Sequence, residues 1–123
     1  MTVMMYISLA LNVVVLVPVC AALSSKSAAV QDAVTAAWGD QSAARGILLS
    51  IYSAILVASL ALLMRPVPAA VFSLLAVQVL YKVTTPFTVG SVSNPVVISN
   101  LAVATVHTAT LVAIGLGLTG RNY

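Results

Sequence analysis

Four long apolar runs, with charged side chains only at or near their ends, dominate the pattern of hydrophobic and polar positions along the chain. A membrane-spanning helix needs about 20 predominantly apolar residues, each adding about 1.5 Å of rise. The runs therefore predict four transmembrane helices, over residues 3–23, 45–64, 67–83 and 95–118. We predict an all-α fold, an integral membrane bundle of four transmembrane helices in a single domain, residues 1–123.

Prolines and capping residues mark the ends of these spans. The second span ends at Arg65, because the residue before Pro66 is pushed out of the helical region. With almost no loop after it, the second and third spans must be antiparallel neighbours. Asp40 or Ser42 is able to cap the start of the second span, and Ser93 or Asn94 the start of the fourth. Pro95 suits the first helical position, and residues 84–93 predict a turn-rich loop before it.

The connection between the first two spans carries a weaker helical signal, over residues 27–38. Val30, Val34 and Trp38 recur every four residues and so line one helical face, which Gly39 is able to end. We predict a short interfacial amphipathic helix that lies on the membrane surface, with Trp38 as its anchor. The alternative is an ordinary polar loop, because the apolar stripe is short.

Composition supports lipid as the solvent of this chain. Hydrophobic residues make up 62% of the sequence and charged residues 6%, whereas a soluble domain has about 25% charged residues. The first span also lacks a basic segment and exceeds the apolar core of a signal peptide, so we expect it to be retained. The single cysteine, Cys20, lies in that span and is expected to act as a small buried hydrophobe.

The positive net charge of +3 does not indicate nucleic acid as a partner. The basic residues are Lys26, Arg45, Arg65, Lys82 and Arg121. They are scattered, without the basic run or interleaved aromatic residues that a nucleic-acid surface needs. Counted by side of the membrane, they slightly favour an orientation with both termini outside the cytoplasm.

Polar side chains gather at the end of the predicted bundle that holds the 24–44 and 84–94 loops. This asymmetry predicts a polar vestibule open towards those loops, with apolar side chains filling the other half. The candidate ligand-binding residues are Arg45, Tyr52, Gln78, Tyr81, Lys82 and Asn100. Arg45 and Lys82 would hold an anionic head group or a lipid phosphate, and the others would supply neutral hydrogen bonds. The alternative is that both cations meet bulk lipid head groups.

Asn12 and His107 form a predicted polar pair near the middle of the membrane, about 16 to 18 Å deep by residue count. They are able to hydrogen-bond if the first and fourth spans touch. An ionisable group at this depth is a functional candidate, but a neutral imidazole would also simply join helices. One histidine supplies one of the two axial ligands of a membrane haem, so a haem site would require a symmetric dimer.

The sequence offers little catalytic chemistry. Its two acids, Asp32 and Asp40, lie in the connection after the first span, so no buried acid/base pair or carboxylate metal site is predicted. We therefore expect a non-enzymatic, oligomeric membrane protein that is an accessory subunit or binds a small amphiphile. Membrane lipid is the expected partner, with further copies of the chain or a larger membrane complex.

Two alternatives remain open at this stage. The first is a small oligomeric transporter or channel whose path is lined by Asn12, Gln78, Asn100 and His107. The second is a membrane enzyme in which Lys82, Tyr81 or His107 acts without a carboxylate partner.

Several segments carry a resemblance to known sequences: ISLALNVVVLVPVCAAL, ARGILLSIYSAI, QVLYKVTTPFTVG and NPVVISNLAVA. Together they resemble a group of small, uncharacterised bacterial four-helix membrane proteins. The resemblance implies a location in the bacterial inner membrane and no particular activity. Some members carry a phosphopantetheine adenylyltransferase label, but that family is soluble and α/β, with a T/S-x-G-H motif. The only histidine here stands in Val106-His107-Thr108, so we expect the label not to apply.

Overall fold

The structure is a computed structural model that describes residues 1–120, and of residues 118–120 it describes the backbone alone. Within this part of the chain the helices are α1 (Thr2–Ser24), α2 (Ala28–Trp38), α3 (Ala43–Met64), α4 (Pro68–Val89) and α5 (Pro95–Gly120). Four of them, α1, α3, α4 and α5, are long and apolar enough to cross a membrane. The all-α prediction and the four span-length helices are therefore confirmed.

The long helices form an up-and-down bundle in which α1 lies between α3 and α5, and α4 runs along α5. The prediction that the second and third spans pack as neighbours is therefore wrong, because α3 and α4 barely touch. Side-chain pairs show that α1 is antiparallel to α3, since Asn12 bonds Ser59 whereas Cys20, further along α1, bonds Ser53. In the same way α1 is antiparallel to α5, since Ser8 bonds Thr110 and Asn12 bonds His107. We call the end that holds α2 and the α4–α5 connection the loop end. The opposite end holds the start of α1 and the short α3–α4 connection.

Large apolar side chains face outward on all four long helices. Exposed examples, one on each helix, are Val14, Val57, Leu80 and Val112. No neighbouring helix in the described part of the chain covers them. A face of this kind is stable in hydrocarbon and would be unfavourable in water.

Predicted capping residues are found at the starts of α3 and α5 and at the end of α2. Ser42 caps α3, since its Oγ accepts a hydrogen bond from the Arg45 backbone N–H at 3.3 Å. Asn94 caps α5, since its Oδ1 accepts from the Val96 N–H at 2.8 Å. Gly39 ends α2 with φ of 86°, a backbone conformation that glycine adopts without steric penalty.

The prediction that the third span ends at Val83 and gives way to a loop is wrong, because α4 continues to Val89. Pro86 lies within this extension and has no N–H to donate to the carbonyl of Lys82, four residues earlier. The Thr85 hydroxyl donates to that carbonyl instead, at 2.7 Å. A side-chain donor thus replaces the missing backbone donor, and the helix passes through the proline.

A short helix does occupy the predicted place, but its apolar stripe faces the other helices. Val34 is 1% exposed and belongs to a buried cluster with Leu16 of α1 and Tyr52 of α3. Trp38 packs against the same cluster, and its Nε1 atom is buried. The expected role of Trp38 as a membrane anchor is therefore replaced by a contact with the protein interior, and the polar-loop alternative is wrong.

Candidate functional site

Two adjoining cavities lie at the loop end of the bundle, with α2 forming part of the wall of each. Cavity A, about 570 Å³, lies between α1, α2 and α5, with Tyr52 and Lys82 reaching it from α3 and α4. Cavity B, about 480 Å³, lies between the end of α2 and helices α3, α4 and α5. Both cavities are lined by Trp38, Tyr52 and Asn100, so these residues separate one space from the other. Each volume falls within the range of about 300–1,000 Å³ that is usual for small-molecule sites.

Lys82 is the one cationic side chain among the residues that line cavity A. Its side chain is 5% exposed, and its Nζ donates to Asn100 Oδ1 at 3.1 Å. Asn100 Nδ2 in turn donates to Thr85 Oγ1 at 3.4 Å, and Thr85 donates to the Lys82 carbonyl. This closed ring of bonds holds the amine at the boundary of the two cavities. An ammonium group has three donors, and within the described chain Asn100 takes one.

No acidic side chain among residues 1–120 balances the charge of Lys82. Asp32 and Asp40 are both exposed, and neither lines a cavity. The nearest aromatic ring is that of Tyr81, with its centroid 5.0 Å from Lys82 Nζ, a distance suited to a weak cation–π contact. A buried ammonium with one neutral partner therefore has a strong preference for an anion beside it.

Two further polar atoms in this region, Trp38 Nε1 and Tyr81 Oη, make no hydrogen bond of ordinary geometry among the described residues, although the Tyr52 hydroxyl lies near the Trp38 indole. Both atoms are buried, and both residues line cavity B. Buried polar groups without a partner are rare in native proteins, since each costs about 1–3 kcal/mol. Their presence beside an open volume indicates a place where a polar molecule would bind favourably.

Arg45 was expected to hold a ligand, but the structure places it in the first turn of α3, lining neither cavity. Its guanidinium donates to the Gly39 carbonyl at 3.1 Å and to Gln31 Oε1 at 2.5 Å. Gln31 Nε2 donates in turn to the carbonyls of Ala22, at 3.4 Å, and Ser25. Arg45 therefore ties α2 to the ends of α1 and α3, because its planar group matches several carbonyl acceptors at once.

Replacing Arg45 with glutamine should loosen α2. The change removes two charge-assisted hydrogen bonds, and we expect the bundle to lose about 1–2 kcal/mol of stability. Hydrogen exchange should rise in peptides covering Ala28–Trp38, and the melting temperature in mild detergent should fall. Arg65→Gln is the matched control because Arg65 is exposed. Equal exchange of α2 in the two variants would contradict this role of Arg45.

Asn12 and His107 contact each other, since α1 and α5 touch, and the pair belongs to a larger buried network. His107 Nε2 bonds Asn12 Oδ1 at 2.9 Å, and His107 Nδ1 bonds Ser8 Oγ at 3.1 Å. The network continues to Ser59 on α3, through Asn12 Nδ2 at 3.0 Å, and to Thr110 on α5, through Ser8 Oγ at 2.7 Å. All five side chains are at most 2% exposed. The network therefore joins α1, α3 and α5 in the interior of the bundle.

A neutral imidazole satisfies the hydrogen bonds around His107. Because Asn12 Nδ2 donates to Ser59, its Oδ1 must accept, so the His107 proton lies on Nε2. Nδ1 then accepts from the Ser8 hydroxyl. Thr110 Oγ1 lies 2.7 Å from Ser8 Oγ and also within hydrogen-bond distance of the Met4 and Val106 carbonyls. Both ring nitrogens are occupied, so haem ligation by His107 would require this network to open. The arrangement fits the interpretation of His107 as a residue that joins helices.

The side of the network away from the loop end is closed by apolar side chains. This buried cluster consists of Met5, Leu9, Val71, Leu75 and Ile114. Of the four residues proposed to line a transport path, Asn100 lines a cavity, whereas Asn12, His107 and Gln78 do not. Gln78 is 1% exposed and donates to the Leu74 carbonyl of its own helix at 3.4 Å. Of these four residues, Asn100 is therefore the one that borders cavities A and B.

Of the six candidate ligand-binding residues, the structure brings four to the cavities: Tyr52, Tyr81, Lys82 and Asn100. Sequence reasoning missed Trp38 as a cavity residue and Thr85 as a partner of Asn100. It also missed Ser8, Ser59 and Thr110 as members of the buried network. Ser8 lies four residues before Asn12, and Thr110 three after His107, so helical spacing within an apolar run was the available signal.

Comparison with protein-family models, with curated proteins and with solved structures gives no match.

Proposed function

We propose that the protein is an integral membrane protein that binds a small amphiphile with an anionic head group at the loop end of the bundle. The anion would lie against Lys82, and the apolar part of the ligand would occupy cavity A. The main observation in support of this proposal is the position of Lys82. Its buried ammonium lies where a largely apolar cavity meets polar side chains, and no acid among the described residues lies beside it.

The placement of exposed charges supports a membrane location. Among the described residues the exposed charged side chains are Lys26, Asp32, Asp40 and Arg65. The first three lie beside or on α2, and Arg65 lies at the opposite end of the bundle. Between these two ends no exposed side chain of the described residues is charged and most are apolar, as a hydrocarbon layer requires. In this proposal α2 lies at the level of the lipid head groups, with its polar side towards them.

Cavity A also has a route from the lipid. Pro95 and Ser99 line it and are exposed on the surface of α5, while Ala29 and Ala33 line it and are exposed on α2. A ligand whose chain already lies in the bilayer would reach Lys82 through this side without first entering water. A free phosphate ion would gain nothing from the apolar wall of the cavity.

The single tryptophan of the chain, Trp38, lines both cavities and therefore reports on their occupancy. The purified protein in a neutral detergent would be titrated with single-chain lipids whose chains are brominated, because bromine quenches indole fluorescence at contact. We expect saturable quenching by a lipid with a phosphate monoester head group. The brominated lipid with a choline head group should bind at least tenfold more weakly. Soluble glycerol phosphate should compete with neither lipid.

Equal quenching by the anionic and the choline lipid would show that the protein does not select an anion, and would overturn the proposal. Competition by glycerol phosphate would instead indicate a site for free phosphate. Absence of saturable quenching by any lipid would exclude an amphiphile from cavity A.

A further inference from the structure

Cavity B contains hydrogen-bonding groups that the proposed anion site does not use. Trp38 Nε1 and Tyr81 Oη are buried without partners among the described residues. Tyr52, Thr85 and Asn94 also line this cavity, and none of its lining side chains is ionised at neutral pH. The cavity therefore has the chemistry of a site for a neutral polar group.

The donor and acceptor capacities of the two unpartnered atoms indicate which neutral group would bind in cavity B. An indole N–H can only donate, whereas a phenol hydroxyl either donates or accepts. Hydroxyl groups on the ligand would accept from Trp38 and donate to Tyr81, so a small polyol would be able to satisfy both atoms. A methyl or methylene group would leave both atoms unpaired, at about 1–3 kcal/mol each.

A cationic head group would bind poorly in the same place. An ammonium needs acceptors and an opposite charge, yet neither cavity has an acidic residue in its wall. Lys82 lies at the boundary and would repel a second cation across a short, poorly screened distance. Ethanolamine and choline head groups are therefore disfavoured by the walls of cavity B.

The shared walls of the two cavities allow a single ligand to occupy both. They share Trp38, Tyr52 and Asn100, and Lys82 is held at their boundary by Asn100. A molecule that fills both needs an apolar chain on one side of an anion and a neutral polar group on the other. A phosphodiester is such an anion, since it carries one negative charge and two substituents.

We infer that the ligand is a phosphodiester lipid whose terminal group is a small neutral polyol, with that polyol in cavity B. The phosphate lies at Lys82 and the chain in cavity A, so the inference rests on the proposed function and specifies its ligand. Glycerol is the simplest head group of this class. Trp38 and Tyr81 then act as the residues that select the head group.

The test compares three chain-matched, brominated single-chain lipids by quenching of Trp38. Their head groups are phosphoglycerol, a phosphate monoester and phosphoethanolamine. We expect the phosphoglycerol lipid to bind about tenfold more tightly than the monoester, as two added hydrogen bonds would produce. The phosphoethanolamine lipid should bind more weakly than either.

The variant Tyr81→Phe removes one of the selecting groups. It should reduce the preference for phosphoglycerol over the monoester to about threefold or less, because the polyol loses its hydrogen bond to the phenol hydroxyl. Because the Tyr81 hydroxyl has no partner in the described chain, the melting temperature without lipid should be unchanged or higher. Tyr6→Phe is the matched control, since Tyr6 is exposed on α1.

The possible failures are distinguishable. Equal affinity of the wild-type protein for phosphoglycerol and monoester lipids overturns this inference and leaves the anion site intact. An unchanged preference in Tyr81→Phe, or tight binding of phosphoethanolamine, also overturns it. Absence of binding by both anionic lipids overturns the proposed function itself.

Discussion

His107→Leu is expected to destabilise the bundle by about 2–4 kcal/mol, the largest effect of any single substitution considered for the interior. Leucine fills much of the same space but removes the bonds to Asn12 Oδ1 and Ser8 Oγ. The Asn12 oxygen is left without a donor in a region where water is excluded. Unfolding in mixed micelles, followed as the fraction of sodium dodecyl sulfate rises, would measure the loss.

Two further variants distinguish the loss of the network's hydrogen bonds from the effect of a changed side-chain volume. Thr105→Val is the control, because Thr105 is exposed on α5 and bonds only the Leu101 carbonyl of its own helix. The double variant His107→Leu with Asn12→Leu should recover part of the lost stability, since two apolar partners leave fewer polar atoms unpaired. If His107→Leu is as stable as Thr105→Val, the buried network does not hold α1 and α5 together.

Lys82→Gln is expected to weaken binding of the anionic amphiphile by about 10- to 100-fold, the loss produced by removing a charge-assisted hydrogen bond. Glutamine keeps a hydrogen-bonding group within reach of Asn100 but no positive charge. The variant should also bind choline and phosphate lipids about equally. Quenching of Trp38 by brominated lipids measures both effects.

The stability of Lys82→Gln distinguishes a loss of function from a loss of fold. The wild-type ammonium has no opposite charge among the described residues, so its removal should leave the ligand-free protein as stable as before or more stable. Lys26→Gln is the control because Lys26 is exposed outside both cavities. Unchanged anion binding in Lys82→Gln would contradict the assignment of Lys82 as the head-group residue.

Features that depend on local rules were predictable from the sequence. The spans follow from apolar runs bounded by charges, and the starts of α3 and α5 follow from Ser42 and Asn94, which cap them. The contact between Asn12 and His107 was predictable from depth, because the rise per residue places both at the same level in antiparallel helices.

The predictions for the end of α4 and for Arg45 were wrong because both depend on side-chain contacts that the sequence pattern does not mark. The end of α4 was misplaced because proline normally stops a helix, and the compensating bond from Thr85 to the Lys82 carbonyl depends on one side-chain rotamer. The role of Arg45 was misassigned because its acceptors, Gly39 and Gln31, lie in a segment expected to rest on the membrane. Neither acceptor is marked by spacing or composition.

By itself, the sequence determined that this chain has four helices suited to lipid and that its polar side chains are concentrated towards one end. Hydrophobic periodicity and capping act within a few residues, so they can be read directly from the chain. Only the tertiary structure decided that α2 turns its apolar stripe inward and divides the loop end into two cavities. It also decided that Lys82 lines cavity A, Tyr81 lines cavity B and Trp38 lines both, because such proximity depends on how separate helices pack.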